Sequence, residues 1–182
     1  TGARYDLLIA PVKRSVMAMS YYIATVFSTL LVCIAALGAG LLYVRSVGWY
    51  MSAADIGWIL LDILLVVLFG TALSSIINLF LSTQGQISAV GTIVSAGYGF
   101  ICGAYMPISN FGEGLQKVLS FLPGTYGTSL LRNHAMRGVF EQMRADGFPA
   151  EVVEGIKKSV DCKLYFSGHE VTIPAMYIFL TV

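Results

Sequence analysis

Two long stretches of this chain contain no charged residue, and both are strongly apolar. Thirty uncharged residues separate Arg14 from Arg45, and fifty separate Asp62 from Glu113. A membrane-spanning helix needs about 20 apolar residues. The first run therefore predicts one spanning helix, at about 17–44.

The second run is too long for a single span, so we expect it to turn back on itself. Its only polar cluster is Ser82–Gln86, and a turn there predicts a second span at about 54–81 and a third at about 87–106. A last apolar run, 171–182, is too short to cross a bilayer. It predicts the start of a fourth span. The pattern thus indicates an all-α polytopic membrane protein with three complete transmembrane helices.

Shorter periodic segments fill the region between the third and fourth spans. Apolar residues recur on one helical face from Phe111 to Leu122, after a possible cap at Ser109 or Asn110. This helix is too short to span, so we expect it to be interfacial or re-entrant. Four further pieces are predicted: a helix from Thr125 or Thr128 to Arg144 with Gly147 beyond its end, a helix over Glu151–Asp161, and two extended pieces around a Ser167-Gly168 turn.

The composition supports the membrane class. Residues of the AVILMFWYC set make up 57% of the 182 residues, and charged residues make up 12%, about half the ~25% typical of soluble domains. A net charge of +1 provides no field for attracting nucleic acid.

Basic residues at Arg4, Lys13 and Arg14 outnumber Arg45 at the other end of the first span, which predicts a cytoplasmic N-terminal flank. The region 107–170 would then lie outside.

Thr1 is not an initiator methionine, and no signal-peptide pattern follows it. We therefore expect this sequence to be a segment of a longer membrane protein.

Four small residues of the third predicted span are spaced four apart. A smooth stripe of this kind lets another helix approach closely. We therefore predict a helix-packing face made by Gly91, Ser95, Gly99 and Gly103.

Asp62 is the one formal charge well inside a predicted span. A carboxylate in this position is a candidate functional site, because burying it in the membrane is costly. The alternative is a carboxylate near the outer boundary of the bilayer that is either reached by water or paired with a Tyr, Ser or Lys. Asn78 adds a further polar position to the same helix. If Asp62 titrates during transport, the chain would be an ion- or proton-coupled transporter or channel.

The N-terminal stretch RYDLLIAPVKR is basic at both ends and apolar in the middle. One interpretation is a basic flank that anchors the first span; the other is a short helix that lies along the cytoplasmic face as a docking surface.

Known catalytic signatures are missing from the sequence. It contains no G-x-x-x-x-G-K-[ST] loop and no G-x-S-x-G, and His169-Glu170 lacks the second histidine of H-E-x-x-H. We expect no catalytic residues and no metal site.

Two blocks in this order resemble the ABC-2-type permease family, the membrane subunits of ATP-driven exporters. They are DLLIAPVKRS before the first span and GAYMPISNFGEGLQKVLSFLPGTYGTSLLR after the third. The resemblance covers nearly the whole chain. It implies a coupling helix within segment 1–16 that docks on an ATP-binding subunit, with contacts at Asp6, Leu7, Leu8, Pro11, Val12, Lys13 and Arg14.

The resemblance also implies re-entrant outer helices within 107–132 that cap a transport path. The residues implied for this gate are Pro107, Asn110, Phe111, Leu115, Leu119, Pro123, Thr125 and Tyr126. The region 133–170 departs from the family pattern as a long extracytoplasmic insert, and a membrane scaffold or sensor that binds a partner through it is a third hypothesis.

The implied partners are an ABC ATP-binding subunit, a second permease subunit in a homodimer or heterodimer, and membrane lipid, with no nucleic acid. ATP and Mg²⁺ would be bound by the partner subunit, so no cofactor is expected in this chain. The implied location is a prokaryotic plasma membrane, and the substrate stays open because one permease framework serves many cargoes.

Overall fold

The computed structural model describes residues 13–166 and 169–181 of the 182-residue chain. Helices account for most of this part, with one two-stranded hairpin. The elements are α1 (Arg14–Val47), α2 (Ala53–Leu79), α3 (Gln84–Ile101), a 3-10 turn (Ile108–Asn110), α4 (Glu113–Leu119), α5 (Pro123–Ala145), α6 (Ala150–Ser159), β1 (Tyr165–Phe166), β2 (His169–Glu170) and α7 (Ile173–Thr181).

Two of the described helices are long and apolar enough to cross a membrane. These segments are Ser15–Val47, with 33 residues, and Ala53–Leu79, with 27. They coincide with the first two predicted spans. Helix α3 has 18 residues and is not among these two helices, so the third complete transmembrane helix stays a prediction.

Polar caps begin α2 and α3 where the apolar runs are interrupted. Ser52 and Asp55 form a capping box at the start of α2, and Thr83 and Gln86 form one at the start of α3. Such reciprocal bonds satisfy backbone N–H groups that have no partner within the helix. The second box lies inside the polar cluster Ser82–Gln86, where the sequence predicted the turn.

The third predicted span was wrong at its C-terminal end. Helix α3 ends at Ile101, and Gly103 has a φ of +77°. The Gly103 N–H donates to the Phe100 carbonyl (3.1 Å), and the Ala104 N–H donates to the Gly99 carbonyl (2.9 Å). These two bonds define a Schellman motif, in which a glycine in the left-handed region ends the helix. Gly103 is therefore a terminator of α3 and does not belong to the predicted packing stripe.

The segment after α3 is more broken than its periodicity suggested. The expected continuous helix up to Leu122 is a 3-10 turn over Ile108–Asn110 followed by α4, which begins only at Glu113. Phe111 between them is extended. In contrast, α5 is continuous across the predicted boundary between 132 and 133. Gly147 follows α5 with a φ of +82°, as predicted, and β1 and β2 pair antiparallel through Tyr165 and Glu170.

Helix α5 lies at the centre of the fold, between α2 and α7. A buried apolar cluster joins α5, α7 and the segment before β1 through Tyr126, Leu130, Leu164, Met176 and Leu180. A second cluster joins α5 to α6 through Phe140, Val153 and Cys162. Along Ser15–Val47 of α1, in contrast, no described side chain is buried, so this helix presents its apolar surface outward.

The closest backbone approaches are made by glycines of α5. A Cβ on Gly138 would lie 1.7 Å from the carbonyl oxygen of Tyr50, and a Cβ on Gly127 would lie 2.7 Å from Val66 Cγ2. A Cβ on Gly91 of α3 would have no neighbour within 4 Å. A Cβ on Gly99 of α3 would lie 2.3 Å from the Tyr105 ring, only six residues along the chain, whereas Gly127 and Gly138 of α5 approach segments that are distant in sequence.

Candidate functional site

The turn between α4 and α5 lies beside the middle of α2. Pro123, the first residue of α5, lines a groove together with Leu68, Phe69 and Ala72 of α2. Phe69 is 16 residues along α2, which corresponds to about 24 Å from the start of that helix. From this turn, α5 runs back along α2 until Arg137 lies 3.4 Å from Asp55 near the N-terminus of α2.

Three of the predicted gate residues are buried together at the α4–α5 turn. Leu119, Thr125 and Tyr126 are each 3% exposed or less. The Thr125 hydroxyl donates to the Leu119 carbonyl (2.9 Å), and the Tyr126 hydroxyl donates to the Ser120 carbonyl. These bonds use the free carbonyls at the end of α4. The turn is thus held by its own side chains.

The other predicted gate residues lie around this turn with fewer contacts. Pro107 precedes the 3-10 turn and Asn110 is its last residue, and the Asn110 N–H donates to the Pro107 carbonyl (3.1 Å). The Phe111 carbonyl accepts a hydrogen bond from the Gln116 amide (2.6 Å). Leu115 is 47% exposed. The turn therefore has a buried inner side and an apolar outer side.

A buried carboxylate connects the segment after α3 to the end of α6. Asp161 accepts hydrogen bonds from the backbone N–H groups of Ile108 and Ser109, the latter at 3.0 Å. The Arg132 guanidinium lies 3.3 Å from the same carboxylate and also donates to the Gly103 carbonyl. We call Gly103, Ile108, Ser109, Arg132 and Asp161 the Asp161 cluster. It joins three parts of the chain that are distant in sequence.

A second buried carboxylate connects α2, α5 and α7. Asp62 is fully buried, with His134 Nδ1 2.6 Å from its Oδ2 and the Tyr177 hydroxyl donating to its Oδ1 at 2.6 Å. The Trp58 ring stacks on the His134 ring, with centroids 5.7 Å apart. This geometry agrees with the interpretation of Asp62 as a paired carboxylate. One of its two partners is a tyrosine.

The structure does not bring Asn78 to Asp62. Asn78 is exposed, and its amide donates to Ser74 Oγ at 3.4 Å. It lines a groove of about 440 Å³ between α2 and α3, together with Gly91, Ser95 and Gly99 of the predicted stripe. The stripe residues thus face α2 across open space.

Charged side chains of α5 and of the segment before β1 form a network around Glu154 of α6. Its carboxylate lies 2.6 Å from Lys163 Nζ and 3.3 Å from Arg144 Nη2. The hydrogen bond from Lys163 holds the pKa of Glu154 below its ordinary value, and the same bond raises the pKa of Lys163. Burial raises the pKa of the Cys162 thiol to about 11, so this cysteine is protonated at neutral pH.

Most of the predicted coupling segment lies outside the described residues, namely Asp6, Leu7, Leu8, Pro11 and Val12. Lys13 is exposed immediately before α1, and Arg14 is the first residue of α1. Four side chains of the buried clusters were absent from the predicted sites: Arg132, His134, Asp161 and Tyr177. The sequence carries one signal for Asp161, which is its position. Asp161 occupies the place after α6 where glycine commonly ends a helix.

Comparison with known proteins identifies the family. The family model described as "ABC-2 type transporter" matches residues 3–135, which is most of the chain. No curated protein and no solved structure matches. The matched range contains the segment before α1, helices α1–α4 and the first half of α5. The chain therefore belongs to the ABC-2 type transporter family and is a transmembrane permease component of an ABC transporter.

Proposed function

We propose that this chain is the permease subunit of an ATP-driven exporter in a prokaryotic plasma membrane. It would form a pair with a second permease subunit, and a separate ATP-binding subunit would hold ATP and Mg²⁺. The observation that carries the proposal is the match of the ABC-2 family over residues 3–135. The two helices long enough to span a bilayer, α1 and α2, are consistent with it.

The position of the α4–α5 turn supports a re-entrant gate. Because the turn lies beside the middle of α2, a bilayer around α2 would place residues 119–126 at membrane depth. Irregular backbone is tolerated there only when it is buried in protein or faces an aqueous cavity. The bonds from Thr125 and Tyr126 to carbonyls at the end of α4 meet this requirement. In this proposal, the turn caps the transport path from outside.

Energy from ATP would enter through the segment before α1. Closure of the ATP-binding subunits would push residues 6–14, and α1, a rigid helix of 34 residues, would transmit the movement across the membrane. Helix α1 is suited to this role because no described side chain along Ser15–Val47 is buried in this chain, so it can move without breaking a packed core.

The ion-coupled alternative would use Asp62 as a titrating group. Both oxygens of this carboxylate are occupied, by His134 and by Tyr177. A site that must bind and release an ion needs access to water, and Asp62 has no exposed surface. The geometry therefore favours a structural role for Asp62 within an ATP-driven permease.

The test is purification of the full-length protein from its native membrane in mild detergent. We expect an ATP-binding subunit to co-purify and the complex to hydrolyse ATP. The double variant Pro11→Asp with Arg14→Glu should lower co-purification at least about tenfold, because charge reversal at the centre of an interface removes more than about 2 kcal/mol. Arg45→Glu is the matched control, since Arg45 is an exposed basic residue at the opposite end of α1.

Normal membrane insertion of both variants must accompany this result. Retention of the ATP-binding subunit by the double variant would contradict the coupling role of residues 6–14. Absence of any ATPase partner from the wild-type preparation would contradict the exporter itself. In that case, Asp62→Asn would test the ion-coupled alternative by abolishing pH-driven uptake in vesicles.

A further inference from the structure

The backbone of Asp161, in the Asp161 cluster, has an unusual conformation. Asp161 has a φ of 56°, in the left-handed region that non-glycine residues rarely adopt. Its N–H donates to the Lys158 carbonyl (3.2 Å), and the Cys162 N–H donates to the Lys157 carbonyl (2.9 Å). This is the Schellman arrangement, in which glycine would relieve the backbone strain. Aspartate is among the few non-glycine residues enriched in this region, and here it places a carboxylate at the end of α6.

Both oxygens of the Asp161 carboxylate have partners. It accepts the N–H groups of Ile108 and Ser109, which begin the 3-10 turn, and it forms an ion pair with Arg132. Asp161 is 3% exposed. A buried carboxylate that accepts several charge-assisted bonds is a strong and directional connection.

Arg132 and Ser129 of α5 form further hydrogen bonds to the segments around Asp161. The Arg132 guanidinium donates to the Gly103 carbonyl at the end of α3 and to the Val160 carbonyl (3.3 Å) at the end of α6. The Ser129 hydroxyl donates to the Asp161 carbonyl (2.7 Å). The end of α3, the 3-10 turn, α5 and the end of α6 therefore meet at one ion pair.

We propose that Asp161 is a positioning residue for the gate of this permease. Its carboxylate fixes segment 103–109 to α6, so that the end of α3 and α6 move as one body when the transporter changes state. This inference rests on the proposed function, because segment 103–109 leads from α3 into the α4–α5 turn. It assigns a role to the region 133–170, which would hold the gate in place through the last turn of its helix α6.

The test measures one distance in the full-length protein with its ATP-binding subunit in lipid nanodiscs. Spin labels at Ala104→Cys and Lys158→Cys report on the two sides of the cluster, and both positions are exposed. Cys33→Ser removes the one native cysteine in the described residues that is not buried. We expect one narrow distance distribution that is the same without nucleotide and after trapping with ATP and vanadate.

Two substitutions should break this rigid connection, and one should leave it intact. Asp161→Asn keeps the shape of the side chain but removes its charge, and Asp161→Gly suits the backbone but removes the side chain. Both should broaden the distribution and lower the ATP-dependent activity at least about tenfold, because the charge-assisted hydrogen bonds of the carboxylate are lost. Asp146→Asn is the matched control, since Asp146 directly follows α5 and, among the described residues, its side chain hydrogen-bonds only to Gln142.

A narrow, unchanged distribution in both Asp161 variants would overturn the proposal. If Asp161→Gly alone behaved as wild type, the aspartate would be dispensable at this position, which would also overturn it. Failure of the exporter proposal is distinguishable, because the distance measurement in the permease alone would still report whether segment 103–109 and α6 are joined when no ATPase partner exists.

Discussion

His134 Nδ1 lies 2.6 Å from Asp62 Oδ2, and this contact fastens α5 to α2 in a place where neither side chain has more than 8% of its surface exposed. With Tyr177 on the other carboxylate oxygen, the contact also holds α7. One carboxylate therefore fixes the lateral positions of three helices. The contribution of this carboxylate to stability can be measured separately from its contribution to transport.

Replacing His134 by leucine should destabilise the protein by about 3 kcal/mol, because it leaves Asp62 buried with half of its partners. Replacing Asp62 by leucine should have a similar effect. The double variant should be more stable than either single variant, since no buried charge remains unpaired. Thermal unfolding in detergent, monitored by size-exclusion chromatography, provides the comparison. Additive losses would show that the two side chains do not act as a pair.

Gly138→Ala should prevent correct packing of α5. The added Cβ would lie 1.7 Å from the Tyr50 carbonyl oxygen, and backbone cannot yield as a flexible side chain does. We expect a loss of more than about 3 kcal/mol. Gly155→Ala in α6 is the control, because its Cβ would have no neighbour within 4 Å. This control should gain about 0.5–1 kcal/mol from the better helix propensity of alanine. Equal stability of the two variants would refute the close approach.

Cys162 should resist alkylation in the folded protein. It is buried, and its pKa of about 11 keeps the thiol protonated below that pH. In a background with Cys33→Ser and Cys102→Ala, maleimide should label Cys162 only after denaturation in SDS. Because the folded pKa is raised above the ordinary value of 9.0, the native state should lose stability as the pH rises from about 9 to about 11. Rapid labelling at pH 7.5 would contradict the buried position.

Glu154 should make the region around α6 sensitive to acid. Its pKa is lowered, first by the hydrogen bond from Lys163, so its contribution is present above the ordinary value of 4.5 and is lost as the pH falls through the lower, folded value. Glu154→Gln should remove this dependence. Hydrogen exchange of α6 between pH 3 and 6 measures it, with Glu151→Gln as the control. A wild-type profile in the Glu154 variant would exclude the network as its cause.

The sequence by itself determined the features that depend on neighbouring residues. Uncharged runs predicted α1 and α2, since a long apolar stretch leaves few alternatives to a spanning helix. Gly147 marked the end of α5, and the two extended pieces were predicted where β1 and β2 pair, whereas the predicted Ser167-Gly168 turn itself lies outside the described residues. The family resemblance also came from continuous blocks of sequence. Gly103 shows the limit of this approach, because its four-residue spacing suggested packing while its backbone ends α3.

Tertiary structure decided which distant residues meet. Asp62 was visible as a lone charge in a span, but its partners His134 and Tyr177 are brought to it by the relative register of three helices. Likewise, Asp161 reaches Ile108 only because α6 folds back onto the end of α3. Local spacing contains no information about register between helices, since register is set by the best simultaneous packing of many side chains. The partners of the two buried carboxylates therefore emerged only from the folded chain.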